Sequence, residues 1–325
     1  MTYLQKKFDV STLTGNAADG SVFGPEVIAN QSIIPAHLEV AAARYETLDV
    51  ELDTESSSLW CFGRGSAHVS QTMADDTIRL QESIRRMFAE RAHEPQRPFD
   101  YFVLASRVPG TFNLGGDLAL FGQAIRTGDR AKLRHYAYSC IEVVYNNHIA
   151  FDVPVTTIAL VQGDALGGGF ECALSTDLII AERSAKMGLP EIMFNLFPGM
   201  GAYSFLSRRL DAARAEKMIL SGRIYSAEEL HEMGVVDILA EDRMGEEAVR
   251  EYIDRQTYRR NAYRGIFQTR RRVNPITKQE LLDVVDIWVE SALNLQEQDL
   301  RRMGRLSSAQ ERRREALTAL SVAAE

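Results

Sequence analysis

The stretch Ile158–Gly201 constrains this chain more than any other, because glycine turns interrupt its apolar runs at short, regular intervals. Thr157–Val161 is an apolar run of strand length, and it breaks into a glycine-rich turn spanning Gly163–Gly169. A helix is expected from about Gly168, with Glu171 in its first turn. A second run, Leu178–Ala181, then leads to Gly188-Leu189-Pro190-Glu191. Strand, glycine turn, helix and strand make half of an α/β layer. Consecutive glycines let backbone amides approach a ligand closely, and a helix start leaves N–H groups unpaired. Such donors suit an oxygen that gains negative charge during a reaction. Either acid alone reads as a helix-start charge. Glu171 and Glu191 together, beside the glycine turn, read as chemistry.

These residues carry a resemblance. GDALGGGFE, with GLPE placing its acid twenty positions after Glu171 and FPGMG following, resembles the crotonase (enoyl-CoA hydratase/isomerase) superfamily. The resemblance implies an α/β fold, a crotonase-like spiral of ββα units with a C-terminal helical region. It implies Glu171 and Glu191 as catalytic acids at the α and β carbons of an acyl thioester. Phe112-Asn-Leu-Gly-Gly-Asp117 is by composition a turn before a helix, with Asp117 as a possible cap. By resemblance it supplies the first oxyanion-hole amide at Leu114, where family members often carry alanine, and Gly168 supplies the second. Gly115, Gly116 and Gly167 are expected beside the thioester, and Leu166, Met200 and Trp288 in an acyl pocket.

The motifs FNLGGDLALF, MGLPE, FPGMGAYSF and the tail segments IWV and LRRM are similar to those of diffusible-signal-factor synthases of the RpfF type. That likeness implies dehydration of a 3-hydroxyacyl chain on acyl carrier protein, then hydrolysis to a free cis-2-unsaturated fatty acid. It needs no cofactor. An ordinary hydratase or isomerase of CoA esters and a non-catalytic scaffold are the alternatives. A homotrimer or dimer of trimers is carried over, and a signal-receptor protein is a further possible partner.

The flanking chain is read from its own residues. Residues 1–40 have weak periodicity and read as a partly ordered extension. The spiral core is expected over 41–245 and the covering helical region over 246–325. A hairpin is expected between Tyr45 and Phe62, and Gly63-Arg-Gly65 lacks the third glycine of a dinucleotide loop. Helices are expected over Met73–Arg91, Leu118–Arg126, Ala131–Asn147, Ala202–Leu210, Asp211–Leu220, Lys278–Leu295 and Asp299–Leu320, with strands at Tyr101–Ala105 and Val235–Leu239. Ser226-Ala-Glu-Glu229 has the form of a capping box. His135 and His148 have no ligand at metal spacing and read as structural, so no metal is expected. Seven arginines and no acid lie between Arg255 and Arg272. They read either as a solvated helix face or as a dock for an acidic carrier. A net charge of −8 argues against non-specific nucleic-acid binding. Cys61, Cys140 and Cys172 are too scattered for a disulfide framework or zinc site. No apolar leader or membrane-length run stands out, so a cytoplasmic protein with no membrane partner is expected.

Overall fold

The computed structural model describes Val40 and residues 43–322. The extension expected over 1–40 therefore lies outside the described residues apart from Val40. The chain opens with β1 (Leu48–Asp53) and β2 (Ser58–Gly63), the expected antiparallel hairpin, with Val50 opposite Cys61. Side chains of β2 alternate between two cores: Leu59 and Cys61 face one, Trp60 and Phe62 the other. That is the period-two pattern of a strand buried on both faces. Helix α1 (Gln71–Glu90) follows, capped by Ser70, whose side chain accepts the Met73 N–H.

Three successive units then repeat one path. In the first, β3 (Tyr101–Ser106) enters one sheet and β4 (Thr111–Asn113) a second, before α2 (Leu118–Arg126) and α3 (Arg130–His148). Next, β5 (Thr156–Val161) and β6 (Asp164–Leu166) lead to α4 (Gly168–Leu174). In the third, β7 (Leu178–Glu182) and β8 (Lys186–Gly188) lead to the 3-10 turn Pro190–Phe194. Helices α5 (Ala202–Arg209) and α6 (Ala212–Ser221), strand β9 (Ile224–Ser226), α7 (Ala227–Glu232) and β10 (Ile238–Ala240) complete the layer.

Among the described residues the strands form a six-stranded sheet, β1-β2-β3-β5-β7-β10, and a four-stranded sheet, β4-β6-β8-β9. Each ββα unit thus places its first strand in one sheet and its second in the other, with parallel neighbours at β3–β5–β7 and β4–β6–β8. This is the α/β spiral expected from the motifs. Its coils touch backbone to backbone. A Cβ on Gly163 would lie 2.2 Å from the carbonyl carbon of Gly110, and one on Gly169 would lie 2.0 Å from the Asn113 carbonyl oxygen. Only glycine permits that approach.

The C-terminal helices are α8 (Gly245–Gln256), α9 (Arg260–Val273), α10 (Lys278–Leu293) and α11 (Glu297–Val322). Val249 and Ile253 of α8 join the Trp60/Phe62 core on one face of the large sheet. Helix α10 lies along α3, with Arg134 donating to both Asp286 oxygens at 2.9 Å and Trp288 packed against Phe121 at 5.1 Å.

Several sequence expectations shift. Val235–Leu239 is only partly a strand: the Val235 and Val236 amides both donate to Leu230 O, which closes α7, so pairing with β7 begins at Ile238. The glycine turns contain the short strands β4, β6 and β8, too brief to show a period. The arginine run is not a free basic face. Arg255 pairs with Glu251, and Arg260 and Arg264 pair with Asp100. Arg270 and Arg271 pair with Asp177, at 3.3 and 2.8 Å. Helix α9 has no fully buried residue; the Arg260, Arg264, Arg270 and Arg271 pairs, with Phe267 packed against the Trp60/Phe62 core, hold it in place. The capping box at Ser226 and Glu229 forms as expected.

Asp177 is 3% exposed and also accepts the Thr157 N–H at 3.1 Å. Removing one partner of a buried ion pair leaves the other unsatisfied. We therefore expect Asp177→Ala to destabilise the fold by roughly 3 kcal/mol, read as a lower urea midpoint. An unchanged midpoint would show that these contacts contribute nothing.

Candidate active site

Two loops and one helix start meet at a single cavity. The Phe112–Asp117 loop leaves β4 and is pinned at both sides. Val69 N–H donates to Gly115 O at 2.9 Å, and Asp117 accepts the Ala119 and Leu120 amides as the cap of α2. Opposite it, the turn after β6 delivers Gly167 and the first residue of α4, Gly168. A Cβ on Gly115, whose φ is +90°, would lie 2.9 Å from Leu166 O and 3.0 Å from Gly168 N. The two turns therefore close on one another at backbone distance.

This closeness decides which amides face the cavity. The Leu114 N–H donates to Ala67 O at 2.7 Å, so it is committed to the structure. Gly115 N–H donates to Asn113 Oδ1 at 2.8 Å. The expectation that Leu114 supplies an oxyanion donor is therefore corrected. Among the described residues, the amides of Gly116 and Gly168 donate to no other group, and both glycines border the cavity. Gly116 was expected beside the thioester but not as the donor, because choosing between nearby amides requires the pairing of residues 67–69 with this loop.

The two acids enter from consecutive units. Glu171, in the first turn of α4, is 1% exposed. Its Oε1 accepts the Met200 N–H at 2.7 Å and the Ala202 N–H at 2.9 Å. Glu191 stands in the 3-10 turn behind Pro190. The residue as a whole is half-buried, yet Oε2 is buried and has no hydrogen-bond partner. A Cβ on Gly167, whose φ is +53°, would lie 2.5 Å from Glu191 Oε1, so a glycine there makes room for this carboxyl. Burial pushes both carboxyls above the ordinary value of 4.5, because neither charge is solvated. The two N–H donors oppose the rise at Glu171, and the Glu171 charge adds to it at Glu191. The arrangement favours the charge on Glu171 and the proton on Glu191.

The cavity encloses about 660 Å³, part of it open to solvent. Met200 and Trp288 line it as expected, with Phe121, Val285 and Leu306 bringing in α2, α10 and α11. Leu166 does not; it packs with Ala67 and with Leu114, itself a lining residue, so the expected place of Leu166 in the lining is corrected. Leu166 ends β6 just before the turn, where Leu114 and Ala67 cover it. Phe121 and Tyr136 were missed as lining residues, since an amphipathic helix pattern marks a buried face without saying what space lies against it. His148 packs against Phe205, and burial pulls its pKa down to about 4, with Arg271 and Arg270 adding to the effect. No cluster of metal-ligating side chains occurs among the described residues.

Comparison with known proteins agrees with this geometry. The enoyl-CoA hydratase/isomerase family matches residues 88–313, most of the chain, and the protein belongs to that family. Rat mitochondrial methylglutaconyl-CoA hydratase is 30% identical over 208 residues, which cover 62% of this chain and 61% of the relative, less than two thirds of its length. A solved structure of Pseudomonas aeruginosa DspI is 26% identical with a TM-score of 0.58, covering 70% of this chain and 87% of that one. A putative enoyl-CoA hydratase from Streptomyces avermitilis, at 20% identity and a TM-score of 0.63, covers 82% of this chain and 92% of its own. That last likeness is one of fold.

The raised carboxyls set a pH dependence of stability. A carboxyl raised on folding contributes stability that is fully present below its unfolded value near 4.5 and is lost as pH rises through the folded value. Glu191→Gln never ionises, so its Tm advantage over the native chain should grow from pH 5 to pH 9. The gain is about 2–4 °C for each kcal/mol of charging cost avoided. A Tm difference that does not change with pH would mean that the Glu191 carboxyl is solvated.

Proposed function

We propose that this protein adds or removes water across the α and β carbons of an acyl thioester, with Glu171 and Glu191 as the acid–base pair. The observation that carries this reading is the buried carboxyl pair set beside the unused Gly116 and Gly168 amides in an apolar cavity. Burying two carboxyls is costly, which counts against a passive scaffold of the same fold.

The chemistry follows from those groups. The two amides would hold the thioester oxygen and stabilise the enolate formed when the α proton leaves. Dehydration requires one carboxylate to take that proton. It also requires one carboxylic acid to protonate the β hydroxyl, so that the C–O bond breaks and water departs. At rest the pair supplies one of each. The same oxyanion donors suit thioester hydrolysis: a carboxylate takes a proton from water, the water oxygen bonds to the carbonyl carbon, and the C–S bond breaks with the sulfur leaving as thiol.

The narrower reading is a 3-hydroxyacyl chain on acyl carrier protein, dehydrated and then released as a free cis-2-unsaturated acid signal. Its support is the run of motifs extending into the tail and the apolar lining contributed by α10 and α11. A homotrimer belongs to the same reading. The second reading is hydration of CoA esters, favoured by the name of the rat relative and by an arginine run largely spent on Glu251, Asp100 and Asp177.

Mass spectrometry of products from a medium-chain 3-hydroxyacyl group, offered on acyl carrier protein and separately on CoA, tests both. Free cis-2-enoic acid from the carrier-protein substrate is the expected product. Glu171→Gln and Glu191→Gln should each lower turnover by at least about 100-fold. Reversible hydration of the CoA ester with no acid released would replace this reading with the second one. Full activity in either variant would refute the carboxyl pair.

A further inference from the structure

A second cavity lies behind the active site and shares a wall with it. It encloses about 670 Å³, part of it open to solvent, between α1, the ends of β2 and β3, α3 and α4. The same two side chains, Cys140 and Met200, line both cavities. Met200 is the movable part of that wall. Its amide is held by Glu171, but its side chain is unbranched and its sulfur lies 2.7 Å from where a Cβ on Gly168 would stand. A methionine beside the catalytic helix start can change rotamer without moving the backbone that holds Glu171.

The lining of the second cavity suits an apolar occupant. Met73, Ala74, Leu104, Phe112 and Val143 supply hydrocarbon. Its polar groups are turned to their own backbone. Thr77 Oγ1 donates to Met73 O at 2.7 Å, and Ser66 Oγ donates to His68 O at 3.0 Å. Ser106 Oγ accepts from Val108 N at 3.0 Å, and Asn113 Oδ1 accepts from Gly115 N. The thiols of Cys140 and Cys172 are pushed up to about 12 by burial, so they stand as neutral wall. Water entering here would gain few partners, whereas a hydrocarbon chain would bury apolar surface.

We propose that the second cavity is a subsite for the far end of a long linear acyl chain, which passes from the active-site cavity through the Cys140–Met200 wall when Met200 swings aside. This rests on the acyl-thioester reading above. It makes Met200 the gate and Val143 and Ala74 determinants of chain length. Neither Val143 nor Ala74 lines the active-site cavity.

The test is equilibrium binding of saturated acyl-CoAs from four to sixteen carbons, measured by calorimetry on the native chain, Val143→Phe and Ala74→Leu. The two variants fill the second cavity from different helices, and each is checked by its melting curve. Buried methylenes tighten binding by up to about fourfold each. The ratio of long-chain to short-chain affinity should therefore fall by about tenfold or more in both variants. Affinity curves that run parallel to the native curve at every length would overturn the subsite while leaving the thioester reading standing. Absence of binding by the native chain at every length would overturn the subsite for CoA-borne chains and, with it, the CoA-ester reading. A crystal structure of the native chain with dodecanoyl-CoA reads the answer without a variant. A terminal methyl beside Val143 and Ala74 supports the subsite, and a tail ending against Trp288 and Leu306 refutes it.

Discussion

The contact on which the molecule depends is backbone against backbone between successive coils of the spiral. Where Gly163 meets Gly110 and Gly169 meets Asn113, no side chain intervenes. That approach brings β4 into register with β6 and sets the Phe112–Asp117 loop against the start of α4. A methyl group at either glycine would wedge the coils apart. The amides of Gly116 and Gly168 would then no longer share one cavity, so packing and chemistry rest on the same absence of side-chain bulk.

The surroundings of the two acids complete the arrangement. Glu171 is tied by the amides that open α5, and Glu191 is set in a turn behind Pro190 with a buried, unpaired oxygen. Burial raises both acids; two backbone amides, those of Ala202 and Met200, oppose the rise at Glu171, while the Glu171 charge adds to the rise at Glu191. Two chemically identical side chains thus acquire different resting states, which an elimination requires. The C-terminal helices close the apolar side: Trp288 and Leu306 line the cavity, and α10 is held across α3 by Arg134 and Asp286.

Elements with many residues and strong patterns were legible. Helices α1, α2, α3 and α10 fall within a few residues of their expected spans, because caps such as Asp117 and apolar stripes act locally. Strands of three residues were not legible, since no period can be read from so few positions. The arginine run shows the same limit in electrostatics. Seven like charges in sequence read either as a solvated face or as a dock, yet Asp100 and Asp177, distant in the chain, pair with four of them.

The sequence by itself determined the α/β layering of strand, glycine turn and helix, and it placed two acids beside those turns. The spiral and the oxyanion-type role of the turns came as what the resemblance carried by these motifs implies. Only the tertiary structure decided which amide is available. Leu114 and Gly116 are two positions apart and equally able to donate, but Ala67 takes the first and leaves the second. The structure also decided that Leu166 packs behind Leu114 rather than in the lining, and that a second apolar space lies behind Met200. Hydrogen-bond partners and cavities belong to pairs of distant segments. Local sequence fixes what each segment offers, and only packing fixes what it meets.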